Sequence, residues 1–425
     1  MSQGLHHFLG ATGLSVWVLP TPGFARFHAA LTFPFGALDL RYQRDGREVV
    51  VPPGIAHFLE HQMFNAGAGS IMAEFARLGA SANAFTGNDQ TTFLFSTTDH
   101  FGECLALLSS FLRRPVLDDA SVEKERAVIE QEICMYEDMP EVRGALNLRE
   151  ALYSEHPLRY DVGGSVDSIR QVDAAMLQEV YDTFYHPARA VLFVAGDLEP
   201  GAVIRQVDAI PGGEWGKLPT IERHRYHEPE DTRLPLVEVR LPASLPLVQV
   251  GFKDSFSPMP GREVVRRELL ADLVHYSLFG RTSDFYWELY ERGLTGNMFS
   301  ASYEAGPDYG LTVVAGETPD PFGLADQVLR AVEHAHAHGL SEEALERGKR
   351  RMLGSLVSMF NHGDSVGQTV VSQLLQDLEP LEILDLAAAA TPEAANQLLT
   401  GFMQVRHHAV SIVWPDGPTV TDPTG

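Results

Sequence analysis

The chain has 425 residues, 44% of them hydrophobic and 21% charged, with a mean hydropathy of -0.08, and no apolar run approaches the roughly 20 residues that span a bilayer. Its 57 acidic against 32 basic residues give a formal net charge of -25. That speaks against nucleic acid, whose phosphates need a basic footprint, and fits a solvated acidic surface that can steer cationic peptides. The length exceeds one compact core and implies two domains or more.

In chain order, Met1 to Pro20 shows no charged region followed by an apolar stretch. No signal peptide is expected, and a cytoplasmic or organelle-matrix home is the default. Leu14 to Leu19 and Ala29 to Phe33 predict a hairpin. Pro52-Pro53-Gly54 suits a turn into a helix that starts at Ile55 and packs through Ile55, Phe58, Leu59 and Met63. Phe101, Leu105, Leu108 and Phe111 read as a core stripe. Asp118-Asp119-Ala120-Ser121 caps a helix over Val122 to Asp138, which Met139-Pro140 stops. Phe184-Tyr185-His186-Pro187 precedes an apolar strand from Ala190 that closes at Gly196-Asp197. Pro211 to Pro235, rich in Gly, Pro and charge, reads as a linker.

The second half opens like the first, with Leu236 to Leu241 and Leu247 to Phe252 predicting a hairpin. It continues with long helical patterns and closes with a strand over Ala409 to Asp416 and a frayed tail from Pro418 to Gly425. The parallel between halves predicts a duplicated α+β domain, each copy an antiparallel sheet with helices on one face. The expected division is residues 1–215, a linker over 216–235 and a pseudo-repeat over 236–425. Cys104 and Cys134, the only two cysteines, both fall in helical segments and are expected to be buried thiols rather than a disulfide.

The string His57-Phe58-Leu59-Glu60-His61 carries the chemistry. Two histidines four apart share a helix face, and Glu60 falls within the same arc. Such a set can hold zinc and activate a water on it. The order H-x-x-E-H reverses the commoner H-E-x-x-H and is the inverzincin signature.

A third ligand is sought on the helix over Val122 to Asp138, where Val128, Ile129, Ile133 and Tyr136 define an apolar stripe. Glu125 and Glu132, seven apart, fall on that stripe, whereas Glu123 and Glu130 point more to solvent. A carboxylate facing a core needs a partner or a metal, so Glu132 is the ligand candidate, with Glu125 and Glu130 as the other acids in reach. Glu125 is a candidate for orienting a histidine or the water. Two imidazoles and one carboxylate suit zinc. Glu60, beside His61, is placed to act as general base in amide hydrolysis. His156, His186, His407 and His408 read as structural or exposed.

These residues resemble the inverzincin metallopeptidases of the pitrilysin and mitochondrial processing peptidase group. The likeness rests on His57 to His61, on Gly79-Ala80-Ser81-Ala82-Asn83-Ala84-Phe85-Thr86, on Glu125 to Glu132, and on Phe184 to Pro187 with its strand. It implies zinc on His57, His61 and Glu132, Glu60 as base, and a role for Glu125 near the site. It also implies that Ala82, Asn83, Ala84 and Phe85 belong to an edge strand that an extended peptide joins, with Asn83 touching the peptide backbone. Active members carry an Arg and a Tyr in the second half. Here Asp284 stands where the Arg is expected, Arg281 is three residues off, and no Tyr lies around Gly296 and Asn297. The chain is similar to the zinc-bearing subunit of bacterial two-chain relatives, whose second chain supplies both groups. The resemblance therefore implies a peptidase of short unstructured peptides that works with a homologous subunit or a second copy. The competing expectation is a non-catalytic or partner-dependent peptide-binding subunit of an assembly.

Overall fold

The computed structural model describes all residues except 1–3, 65–70, 113–114, 116, 210–214, 255–257, 297 and 417–425. The expected tail, Gly212-Gly213 of the expected linker, and Asn297 lie outside the described residues.

The first half begins with strands β1 (His6–Leu9), β2 (Ser15–Pro20), β3 (Phe27–Phe33), β4 (Arg41–Arg44) and β5 (Arg47–Val50), which lead into helices α1 (Ile55–Phe64) and α2 (Ile71–Arg77). Strands β6 (Ser81–Thr86) and β7 (Thr91–Thr97) follow, then α3 (Phe101–Ser109), α4 (Asp119–Glu137), α5 (Pro140–Leu152), α6 (Val166–Ile169) and α7 (Ala174–Phe184). Strand β8 (Val191–Gly196), α8 (Pro200–Asp208) and β9 (Ile221–Arg223) complete it. The second half holds β10 (Leu236–Leu241), β11 (Leu247–Lys253), α9 (Gly261–Phe279), α10 (Asp284–Glu291), β12 (Ser300–Ala305), β13 (Gly310–Glu317) and α11 (Pro321–His338). It ends with α12 (Glu342–Ser358), α13 (Gly363–Leu375), α14 (Glu382–Ala389), α15 (Pro392–Leu399) and β14 (His408–Pro415).

The two large sheets repeat one topology, β1-β2-β8-β3-β7-β6 and β10-β14-β11-β13-β12. In each, a late strand of the half inserts between two early ones, β8 between β2 and β3 and β14 between β10 and β11, parallel to the first and antiparallel to the second. Neither expected hairpin forms, because β8 separates β2 from β3 and β14 separates β10 from β11. The cause is burial. Every residue of β8 is buried, so this apolar run takes an interior place in the sheet rather than an edge. The sheets are accordingly antiparallel apart from one parallel pair each.

The chain packs as two compact units that are not contiguous in sequence. One comprises residues 1–133, 160–225 and 357–382, the other 134–159, 226–356 and 383–425. Residues 134–159 and 357–382 thus pack outside the contiguous spans read from sequence. Within the expected linker, Ile221–Arg223 forms β9 and pairs with β4.

In the first unit, alternate residues of β8 face opposite sides of the sheet. Leu192 and Val194 join the main core with Phe33, Phe58, Leu59 and Phe93. Val191, Phe193 and Ala195 pack instead against Val366, Val370 and Val371 of α13, which covers the second face of the sheet. In the second unit, α5 packs on β11 and β14, and Tyr153 donates from its hydroxyl to the Gly310 carbonyl at 2.9 Å. Glu228 accepts the backbone N–H groups of Ser154, Glu155 and His156 at 2.8 Å and pairs with buried Lys253 at 3.1 Å. Cys104 is buried as expected, but Cys134 is exposed, since its position on α4 faces away from the core. No helix among the described residues is long and apolar enough to cross a membrane.

Candidate metal centre

Helix α1 starts immediately after Gly54, whose φ of 90° suits glycine. Ile55, Ala56, Phe58, Leu59 and Met63 are buried, which leaves His57 and His61 half-buried on the remaining face. Their rings meet edge to face at 4.6 Å between centroids. Gln62 donates to the Ser121 carbonyl at 3.0 Å and so ties α1 to the first turn of α4. That turn is capped as expected, with the Ser121 N–H donating to Asp118 Oδ1 at 2.7 Å.

The inward stripe of α4 is Val122, Glu125, Ile129 and Ile133. Val128 and Tyr136, read as part of the stripe, are 47% and 40% exposed. Periodicity alone does not decide which of two neighbouring apolar residues turns inward. Glu125 keeps its place on the stripe and is buried, whereas Glu132 sits at its margin, a quarter exposed, beside the two histidines. Glu130 pairs with Arg170 at 2.8 Å and Glu123 is exposed with Arg126.

Glu132 Oε2 lies 3.3 Å from His61 Nε2 and 3.9 Å from His57 Nε2. One ligand atom from each of His57, His61 and Glu132 lies within 4.8 Å of the others. Ligands about 2.1 Å from a tetrahedral ion sit about 3.4 Å apart, so a small contraction brings the three around one ion. The other nitrogen of His61, Nδ1, lies 2.8 Å from Glu125 Oε1, and a carboxylate there favours the Nδ1–H tautomer, which leaves the Nε2 lone pair for a metal. Burial, with His61 adding to it, lowers the His57 pKa to about 4 and keeps its imidazole in the neutral, ligating form. Burial also works against a charge on His61. The hydrogen bond to Glu125 and the charges of Glu132, Glu125 and Glu60 outweigh it and raise its pKa. Three carboxylates around two imidazoles make a place that attracts a cation, and the donor set suits zinc.

Glu60 is buried, 7% exposed, and burial raises its pKa. Thr86, at the end of β6, donates to Glu60 Oε2 at 2.6 Å and opposes that rise. A carboxylate raised by burial moves toward the proton affinity that suits a base near neutral pH. Thr86 escaped the sequence reading as a partner of Glu60, because nothing in the spacing links β6 to α1.

Strand β6 is the terminal strand of its sheet, and its residues divide between two faces. Thr86 reaches Glu60, and Ala82 and Ala84 pack against the main core on that side. Ser81, Asn83 and Phe85 line a cavity of about 330 Å³ on the opposite face, walled by β3, β7 and α13. The Asn83 side chain accepts from the Ala84 N–H at 3.0 Å. In the second unit, Asp284 begins α10 and exposed Arg281 lies in the turn before it.

A pair of duplicated α+β halves with an H-x-x-E-H helix and a carboxylate from a second helix defines a metallopeptidase-like protein. Residues 48–165 match the family profile described as insulinase (peptidase family M16), and residues 171–352 match the one described as the peptidase M16 inactive domain. The zinc protease YmfH of Bacillus subtilis is 32% identical over 402 residues, 94% of each chain. An M16-like peptidase from Alicyclobacillus acidocaldarius superposes with a TM-score of 0.93 at 30% identity, covering 97% of this chain and 98% of that one. Pitrilysin shares the fold, with a TM-score of 0.74 at 16% identity over 97% of this chain and 45% of its own. The chain belongs to peptidase family M16.

Proposed function

We propose that this chain is a zinc-dependent endopeptidase of short, unstructured peptides, working as a dimer with a homologous subunit or a second copy. The observation that carries the reading is the convergence of His57, His61 and Glu132 within 4.8 Å beside a buried Glu60 and a terminal strand. His57, His61 and Glu132 would hold the zinc. When bound, zinc supplies a Lewis acid for the scissile carbonyl and for the attacking water.

The chain's own residues do the rest. Glu60 takes a proton from the attacking water and returns it to the leaving amine. Thr86 holds one oxygen of Glu60 and leaves the other for the proton. Glu125 fixes the ring and tautomer of His61. A peptide added to β6 would bond main chain to main chain. Its alternate side chains would then point toward Glu60 on one face and toward the polar cavity beside Asn83 and Phe85 on the other.

The test is zinc content together with hydrolysis of a quenched fluorescent peptide library by the purified chain. The expected result is about one zinc per chain and cleavage that Glu60→Gln abolishes while zinc is retained. Cleavage by Glu60→Gln at the wild-type rate would sink the mechanism. A second reading, a zinc-bearing subunit that cleaves only with a partner, is favoured by Asp284 standing where the family's Arg is expected. Zinc without cleavage by the lone chain, and cleavage restored by a homologous chain that carries the Arg and Tyr, would establish it.

A further inference from the structure

His61 has Glu125 to orient it, but His57 has no equivalent. Its Nδ1 is buried and makes no hydrogen bond among the described residues. Beside that edge lies Gly163. A Cβ at Gly163 would lie 3.5 Å from His57 Nδ1, 3.2 Å from Asp161 Oδ1 and 3.8 Å from Ile133 Cγ1. The turn carrying Gly163 is fixed from within. Asp161 Oδ1 accepts the Gly163 N–H at 2.8 Å, and the Asp161 carbonyl accepts the Gly164 N–H at 2.9 Å. The next residues form a reciprocal cap on α6 between Ser165 and Ser168.

The same turn grips the start of α1. Ser168 Oγ donates to the Pro53 carbonyl at 2.8 Å. The approach is so close that a Cβ at Gly164 would meet the Pro53 oxygen at 2.5 Å, and one at Gly54 would meet the Gly163 oxygen at 2.4 Å. Gly54 and Gly164 both have positive φ, 90° and 76°, so a side chain at either is opposed twice.

We infer that the Asp161–Ile169 turn is the positioning element for His57: Gly163 packs beside its Nδ1 edge with room for no more than a methyl, and Ser168 anchors the first turn of α1. This rests on the metal reading above. Gly163, Gly164 and Ser168 are positioning residues, since none is a ligand. The segment does for His57 by shape what Glu125 does for His61 by hydrogen bonding.

The experiment titrates zinc against a competing chelator for the wild-type chain, Gly163→Ala, Gly163→Val and Ser168→Ala. The melting midpoint of each metal-free chain and the absorption spectrum of its cobalt(II) form are measured alongside. Val207→Ala, a truncation of a buried residue on α8, serves as a stability control. The expected result is a zinc affinity close to wild type for Gly163→Ala, whose methyl meets the ring at ordinary contact distance, and a loss of about tenfold for Gly163→Val, the range seen when supporting groups around a metal site are lost. The cobalt spectrum should change in Gly163→Val and not in the control. Ser168→Ala should lose affinity beyond that of a control variant of equal metal-free stability. An affinity within about twofold of wild type for Gly163→Val, or a loss matched by the control, overturns the inference while leaving the metal reading intact. A wild-type chain that takes up no stoichiometric zinc overturns the metal reading itself, and the inference with it.

Discussion

Replacing Thr86 with Val removes one hydroxyl and keeps the shape of the side chain. In the structure that hydroxyl donates to Glu60 Oε2 at 2.6 Å, inside a site where Glu60 is 7% exposed. A hydrogen bond to a charged group contributes about 1.5–3 kcal/mol. Its loss removes that stabilisation of the ionised form and raises the Glu60 pKa. The sign follows from which form the bond favours. Thr86 stabilises the carboxylate and lowers the pKa against the rise from burial, so without it Glu60 stays protonated to higher pH. If Glu60 is the base, it acts only when ionised. The acidic limb of kcat/KM therefore shifts to higher pH, while the rate well above the limb changes little. The assay is the pH profile of peptide cleavage by the active assembly, with zinc content measured at each pH so that metal loss is not mistaken for protonation. An acidic limb that stays in place while zinc is retained would refute the role of Thr86 and weaken that of Glu60.

Two further outcomes concern the folded frame. His275 is buried, its Nε2 is 3.2 Å from Thr312 Oγ1, and burial lowers its pKa from 6.5 to about 3. The unfolded chain takes up a proton below pH 6.5 that the folded chain refuses, so stability is intact above that pH and falls as pH drops toward about 3. A shift of that size is worth about 5 kcal/mol at 1.36 kcal/mol per unit. His275→Gln should flatten the loss of stability between pH 6.5 and 4 in urea titrations, and an unchanged slope would exclude this histidine as the cause. On α13, a Cβ at Gly367 would lie 2.5 Å from Phe193 Cδ1, on a ring that is fully buried. Gly367→Ala should destabilise the first unit by about 1–3 kcal/mol through overpacking, read as a lower melting midpoint. No change would mean that the helix is not held against β8.

Much of the site was legible because a helix has a fixed period. His57, Glu60 and His61 share an arc by spacing alone, and the seven-residue interval between Glu125 and Glu132 placed both on the side of α4 that meets α1. The apolar stripe beneath them was drawn partly from the wrong residues, since Val128 and Ile129 are equally apolar and only packing shows that Ile129 turns inward. Thr86 and Gly163 were invisible as site residues. Their contacts join elements far apart in the chain, and glycine leaves no chemical trace of what it makes room for. The fold followed the same divide. The duplication was readable from the way each half opens and closes, whereas the place of β8 and β14 between the opening strands depends on long-range pairing. The exchange of residues 134–159 and 357–382 between units leaves no local pattern at all.

The seating of α13 on β8 fixes an order of events during synthesis. Val191, Phe193 and Ala195 leave the ribosome long before Val366, Val370 and Val371, so the nascent first unit carries a bare apolar sheet face until most of the second half has been made. A fragment ending at residue 215 never receives its cover and is expected to aggregate or recruit a chaperone. The piece that holds all of His57, Glu60, His61 and Glu132 is therefore not the piece that can be cut out and studied alone.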